Sequence, residues 1–145
     1  MITVEVKREG LNIEALGRMF SRVIERVIER FIAQLAERTE EVMHEKAPER
    51  TGRLKKSIRK NVKPYKAVIG PAVPYAVYVE YGTRPHEILP VHARALRFEV
   101  AGRVVFAARV HHPGTRPQPF VRETAEQIRE DAPEIFHDVF VSEGW

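Results

Sequence analysis

The side chains best suited to chemistry in this 145-residue chain are four histidines in its second half, His86, His92, His111 and His112, with Glu87 among them. Imidazoles and a carboxylate are ordinary ligands for zinc and related ions. Their spacing matches no zinc pattern: HExxH is missing, and with no cysteine in the chain no thiolate site can form. The bland reading is loop histidines that hydrogen-bond backbone or face a partner. A metal-dependent hydrolase is therefore kept as the second alternative, and no metal or other cofactor is expected.

Glu80, between Tyr78 and Tyr81, has the type of a general base. Only Glu87 lies near it as a second carboxylate, and the structural alternative is that Glu80 pairs with an arginine or caps neighbouring backbone. Ser21, Ser57 and Ser142 are the only serines; none stands beside a histidine or in a G-x-S-x-G turn. Gly52, Gly70, Gly82, Gly102 and Gly114 are isolated, as turn glycines are, so no phosphate-binding loop is present. No catalytic residue is expected, and the chain reads as no enzyme.

The densest charge is basic: Arg50, Arg53, Lys55, Lys56, Arg59, Lys60, Lys63 and Lys66, in a chain of net charge +4. Such a run can meet phosphates without reading sequence. On a strand, Arg59, Asn61 and Lys63 would share one face. The structural alternative is a solvated edge that resists unwanted strand pairing. Arg53, Lys55, Lys56, Arg59 and Lys63 are the candidate DNA-facing residues, and a sequence-independent nucleic-acid-binding module is the first alternative function.

The elements that must position these residues follow from periodicity. Residues 2–7 alternate as a short strand does. From Ile13 to Glu45 the reading is one long helix about 50 Å in length, its apolar residues recurring every three or four positions as far as Leu35 and again at Val42. Ile24, Ile28 and Ile32 widen its apolar stripe, so it is expected to pack on two things, its own sheet and a neighbouring subunit. Arg22–Glu25 and Arg26–Glu29 are expected as pairs on its polar face. Pro48 ends it, and Arg53 to Ser57 is one short helical segment.

Strands are predicted at Ile58–Val62 and Ala67–Gly70 around a Lys63-Pro64-Tyr65 turn. Tyr75–Tyr81 is strand or short helix by pattern alone, and Thr83–Val91 is a loop. A hairpin runs over Ala95–Val100 and Val104–Val110 around Ala101-Gly102. After a loop at His111–Gln118, Pro119 opens a helix, and Pro133 restarts a second. The fold class is α+β: a long N-terminal helix on an antiparallel sheet with C-terminal helices, expected as one domain over residues 1–145. Gly-Thr-Arg-Pro occurs twice, at residues 82–85 and 114–117, and is read as two similar loops in different contexts. No stretch of about 18 apolar residues is present to span a membrane.

Taken in order, Ala47-Pro-x-x-Thr51-Gly52-x-Leu54-x-x-Ser57-Ile58, Tyr75-Ala76-x-Tyr78-Val79-Glu80-Tyr81-Gly82-Thr83, His86-x-Ile88-x-Pro90, Ala95-Leu96-Arg97-Phe98, and His112-Pro113-Gly114-Thr115 through Gln118-Pro119-Phe120 form one succession. It resembles the gene-product-ten-like minor structural proteins of tailed phages, a family of neck, head–tail connector and tail-completion subunits. The resemblance implies a non-enzymatic virion protein at the head–tail junction, assembled in the host cytoplasm. It also implies a closed ring of identical subunits, with other head and tail proteins as partners and non-specific contact with genomic DNA.

The expected assembly contacts are Tyr75, Tyr78, Glu80, Tyr81, Gly82, Thr83, His112, Pro113 and Gly114. Tyrosines offer large contact area at low entropy cost. The long helix adds apolar contact, and arginine–glutamate pairs fix register. Thr51 is expected to cap the short helix, and Phe120 to anchor the last helix on the core.

Overall fold

The computed structural model describes residues 13–144; the strand expected at residues 2–7 lies outside them. The first element, α1, runs from Ile13 to Lys46. It buries one side through Val27, Ala36, Val42 and Met43. Its last turn closes with the Ala47 N–H donating to Met43 O at 2.9 Å, and Pro48 bars continuation. The pairs Arg22–Glu25 and Arg26–Glu29 do not form among the described residues. Arg26 and Arg30 turn instead to Glu143, where a carboxylate only 9% exposed gains more from them than solvated Glu29 would.

A short helix α2, Arg53–Lys56, follows. Thr51 makes no cap bond to it; the N-cap is Gly52, held at φ 72°. That left-handed backbone, open to glycine at little steric cost, displaces the side-chain cap expected from Thr51. Leu54 is buried beneath α2.

Strands β1 (Ile58–Lys63) and β2 (Lys66–Pro71) then pair antiparallel from Ile58↔Pro71 to Lys63↔Lys66 around Pro64-Tyr65. Alternation places Ile58, Lys60 and Ile69 on the side facing α1. Lys60 Nζ lies 2.5 Å and 2.6 Å from the Glu37 and Glu40 carboxylates of α1. Those bonds hold the lysine pKa above its ordinary value. Arg59, Asn61 and Lys63 share the outer face, as the pattern predicts.

Residues 76–81 resolve as a helix, α3 (Ala76–Tyr81), which ends at Gly82. The chain then leaves the body as a double-stranded arm. Its lower part pairs β3 (His86–Ile88) with β6 (Val110–His112). Its upper part pairs β4 (Leu96–Val100) with β5 (Arg103–Ala107). β3 and the His111–His112 part of β6 fall in segments predicted as loops, while Val110 ends the predicted Val104–Val110 strand; so short a His-bearing run carries no periodic signal. The arm's turn is Ala101-Gly102, both at positive φ (50° and 77°), the geometry of a type I′ hairpin.

The last helix, α4, spans Phe120–Ser142 without a break. Pro133 sits inside it and removes one backbone donor, yet does not restart a second helix. Tertiary contact holds the axis on both sides of the proline. Arg38 Nε of α1 donates to Asp131 Oδ2 at 2.8 Å, and Phe136 meets Phe31 edge-on at 5.3 Å between ring centroids. Glu143 on Arg26 and Arg30 closes the far end, so α1 and α4 lie antiparallel along their length.

The protein is thus α+β, as predicted, but the strands form three separate antiparallel pairs instead of one sheet. Met43, Ala47, Leu54, Ile58, Ala76 and Phe120 meet in one apolar cluster where α1 ends and α4 begins. Phe120, 2% exposed, anchors α4 there as expected.

Candidate functional site

The two Gly-Thr-Arg-Pro segments, 32 residues apart, face each other. The Thr83 N–H donates to Thr115 O and the Thr115 N–H to Thr83 O, both at 3.1 Å, and the two threonine hydroxyls lie 3.1 Å apart. This bridge continues the register of His86↔His112, so it is the root of the arm. Gly82 and Gly114 make it possible. Each sits at positive φ (71° and 84°), and a Cβ on Gly82 would run into Thr115 O, one on Gly114 into Thr83 O. The two similar loops read from the sequence come together as a self-complementary clasp, and no side chain fits at either glycine.

Beside the clasp, His86 stacks on His112 with centroids 5.1 Å apart. His86 Nδ1 lies 2.9 Å from Arg84 O, a contact only an Nδ1–H can make, and His112 Nδ1 accepts the Gly114 N–H at 3.0 Å. Both imidazoles thereby spend a ring nitrogen on local backbone. His92 and His111 lie exposed outside this stack, and no group of three or more metal-ligating side chains comes together among the described residues.

Glu80 is 8% exposed, and its carboxylate is occupied. Oε2 accepts the Val121 N–H at 2.9 Å and Oε1 the Arg122 N–H at 3.0 Å. Those are first-turn donors of α4 that have no partner inside the helix, and a carboxylate there also meets the positive end of the helix dipole. Glu80 therefore acts as a cap supplied from across the fold, joining α3 to α4. A further bond, Gln118 N–H to Val79 O at 2.8 Å, reinforces the same joint.

Around this joint opens a groove of about 1310 Å³. Tyr75 and Tyr78 form one wall, and Arg50, Arg53, Arg84 and Arg116 line it with a single acidic residue, Glu49. Glu49 is itself paired with Lys55 at 3.2 Å. Tyr75, Tyr78 and Tyr81 are 37%, 60% and 75% exposed, a large aromatic area for so short a helix. The arrangement suits a partner chain carrying carboxylates and apolar side chains: arginine forks donate bidentately to carboxylates, and tyrosine rings supply contact area.

Of the expected contact residues, Tyr75, Tyr78, Gly82, Thr83 and His112 line this groove. Gly114 holds the clasp behind it, Pro113 is exposed on the arm, and Tyr81 and Glu80 border a smaller pocket of about 430 Å³ beneath Pro117 and Pro119. Arg50, from the basic run, and Arg84 and Arg116 complete the groove. Arg84 and Arg116 are not among the residues the sequence singles out; their signal is the repeated Thr-Arg dipeptide.

The basic residues scatter. Arg53 enters the groove, while Lys56 and Lys63 stand exposed. Lys55 is paired with Glu49, and the Arg59 guanidinium folds back to Lys56 O and Ile58 O at 2.7 Å and 3.0 Å. No helix of the described residues is long and apolar enough to cross a membrane.

Residues 12–82, about half of the chain, match the HK97-gp10-like family, described as Bacteriophage HK97-gp10, putative tail-component. The match spans α1 through α3 and ends at the first clasp glycine. It bears out the resemblance carried by the motifs from Ala47 to Gly82; those of the arm lie beyond it. No match was found among curated proteins or among solved structures.

Proposed function

From a chain whose residues 12–82 fall within a family of bacteriophage tail components, we propose a virion structural subunit at the head–tail junction, working by self-association into a closed ring. It functions as a single domain with no catalytic step, is assembled in the host cytoplasm and remains in the virion. The observation that carries this reading is the exposed tyrosine wall of α3 standing over an arginine-lined groove, held by a clasp and by a cap that spends the Glu80 carboxylate on structure. A rigid, aromatic, charged recess is what a protein partner uses as an anchor point. Other head and tail proteins, and neighbouring copies, are its partners.

Light scattering across protein concentration tests the reading. The wild-type chain is expected to show a concentration-dependent rise to one defined oligomer, and Tyr78→Ser with Tyr81→Ser to shift that rise at least tenfold higher, as loss of interface aromatics does. An unchanged curve would remove the tyrosine wall from the assembly.

Contact with genomic DNA is favoured by one feature: Lys63 and Lys66 stand opposite each other at the tip of the β1–β2 hairpin, both exposed. Loose, sequence-independent phosphate contact there suits a channel through which DNA slides. Filter binding at low salt should retain duplex DNA and lose it as salt rises; no retention at low salt rejects this part alone.

A further inference from the structure

Two partly exposed apolar surfaces lie at different places on the molecule. One is a face of the β4–β5 hairpin. Leu96, Phe98 and Val100 point to the same side as their cross-strand partners Ala107 and Val105. Among the described residues this ribbon has no extensive contact with a helix; Leu96, Phe98 and Ala107 are half-buried, and Val100 and Val105 are 53% and 38% exposed. A lone two-stranded ribbon is marginal in water without something on its apolar face. The other surface is on the N-terminal half of α1, where Gly17, Ser21, Ile24 and Ile28 fall on one stripe, with Ile24 and Ile28 56% and 37% exposed.

The charges beside them are opposite. Arg103 lies on the hairpin's apolar face, directly across from Val100. Glu25 and Glu29 run one residue behind Ile24 and Ile28. None of these three takes part in an ion pair among the described residues.

The arm's root sits by Phe120, where α1 ends, whereas the stripe is some 20 residues back along α1, roughly 30 Å away. We propose that the β4–β5 arm of one copy lies on the Gly17–Ile28 stripe of the next, Arg103 meeting Glu25 or Glu29. The inference rests on the assembly reading and specifies its contact. Each copy carries one arm and one stripe at different places, so the contact is heterologous and propagates head to tail until a ring closes.

The chain's lack of cysteine makes cross-linking a clean test. Val100→Cys and Ile24→Cys, both at exposed positions, are made singly and together in the full chain. Under mild oxidation, mixing the two single variants should give a linked heterodimer in preference to either homodimer, and the double variant should give a ladder ending at one closed size. Arg103→Glu should weaken self-association about tenfold, and Glu25→Arg in the same chain should restore most of it.

Linkage within one chain would mean the arm folds onto its own helix. Predominant Ile24→Cys homodimers would mean that stripes pack on each other. Either overturns the proposal. Wild-type self-association without arm–stripe linkage overturns it while leaving the ring reading standing. A chain that stays monomeric and unlinked at every concentration removes both.

Discussion

The molecule contains two hairpins that are similar in length and opposite in what holds them. The β1–β2 hairpin turns through Pro64-Tyr65, with neither residue at positive φ. Such a turn does not match strand twist. It is held instead by the body: Ile58 is buried against the core, and Lys60 is clamped by Glu37 and Glu40. The β4–β5 hairpin has the turn that twisted strands prefer, Ala101-Gly102, and little beneath it. One hairpin is placed by tertiary contact despite its turn; the other is specified locally and left with much of its surface exposed. Surface that a monomer leaves bare on a well-specified element is where assembly is to be sought.

The sharpest way to break this contrast is to cut matched side chains from each hairpin. Ile58→Ala, at a site 4% exposed, should cost the monomer about 3 kcal/mol in urea unfolding. Phe106→Ala, at a site 66% exposed, should cost less than about 0.5 kcal/mol. Equal losses would show that the arm packs on the body after all.

Next in size is the clasp. Gly114→Ala forces a side chain into the Thr83 carbonyl at a positive φ, and should cost about 2 kcal/mol. Hydrogen exchange should place that loss in residues 83–115 and spare the α1–α4 pair. Smaller still, Ala101→Asn should slow exchange of the β4–β5 amides by relieving a left-handed alanine, a gain of about 0.5 kcal/mol that leaves β1–β2 untouched.

The least effect is electrostatic and belongs to the body. The Arg38 hydrogen bond, helped by Gln127, holds the Asp131 carboxyl below its ordinary pKa. Its contribution is therefore present above the usual carboxylate range and is lost as pH falls through the depressed value. Acid titration of stability should show that loss in the wild type and a flatter curve in Asp131→Asn.

What the sequence determined by itself is what depends on neighbours a few residues apart. The apolar recurrence from Ile13 onward and the stop at Pro48 set α1 almost to the residue. Pro64-Tyr65 and Ala101-Gly102 located both hairpins. The succession of short motifs from Ala47 pointed to the family that residues 12–82 match.

Only the tertiary structure decided the rest, because it concerns pairing between distant backbone groups. Nothing local tells that Gly82 and Gly114 close on one another, or that Glu80 serves donors 41 and 42 residues away. Local rules argue against α4 running through Pro133, and packing of Asp131 and Phe136 on α1 outweighs one missing backbone bond. Tyr75–Tyr81 is open between strand and helix by pattern because five of its seven residues are aromatic or β-branched and fit either, and burial of Ala76 and Glu80 on one side chose the helix. Periodicity reports which face of an element is apolar; what that face meets is settled by chain parts that the pattern cannot see.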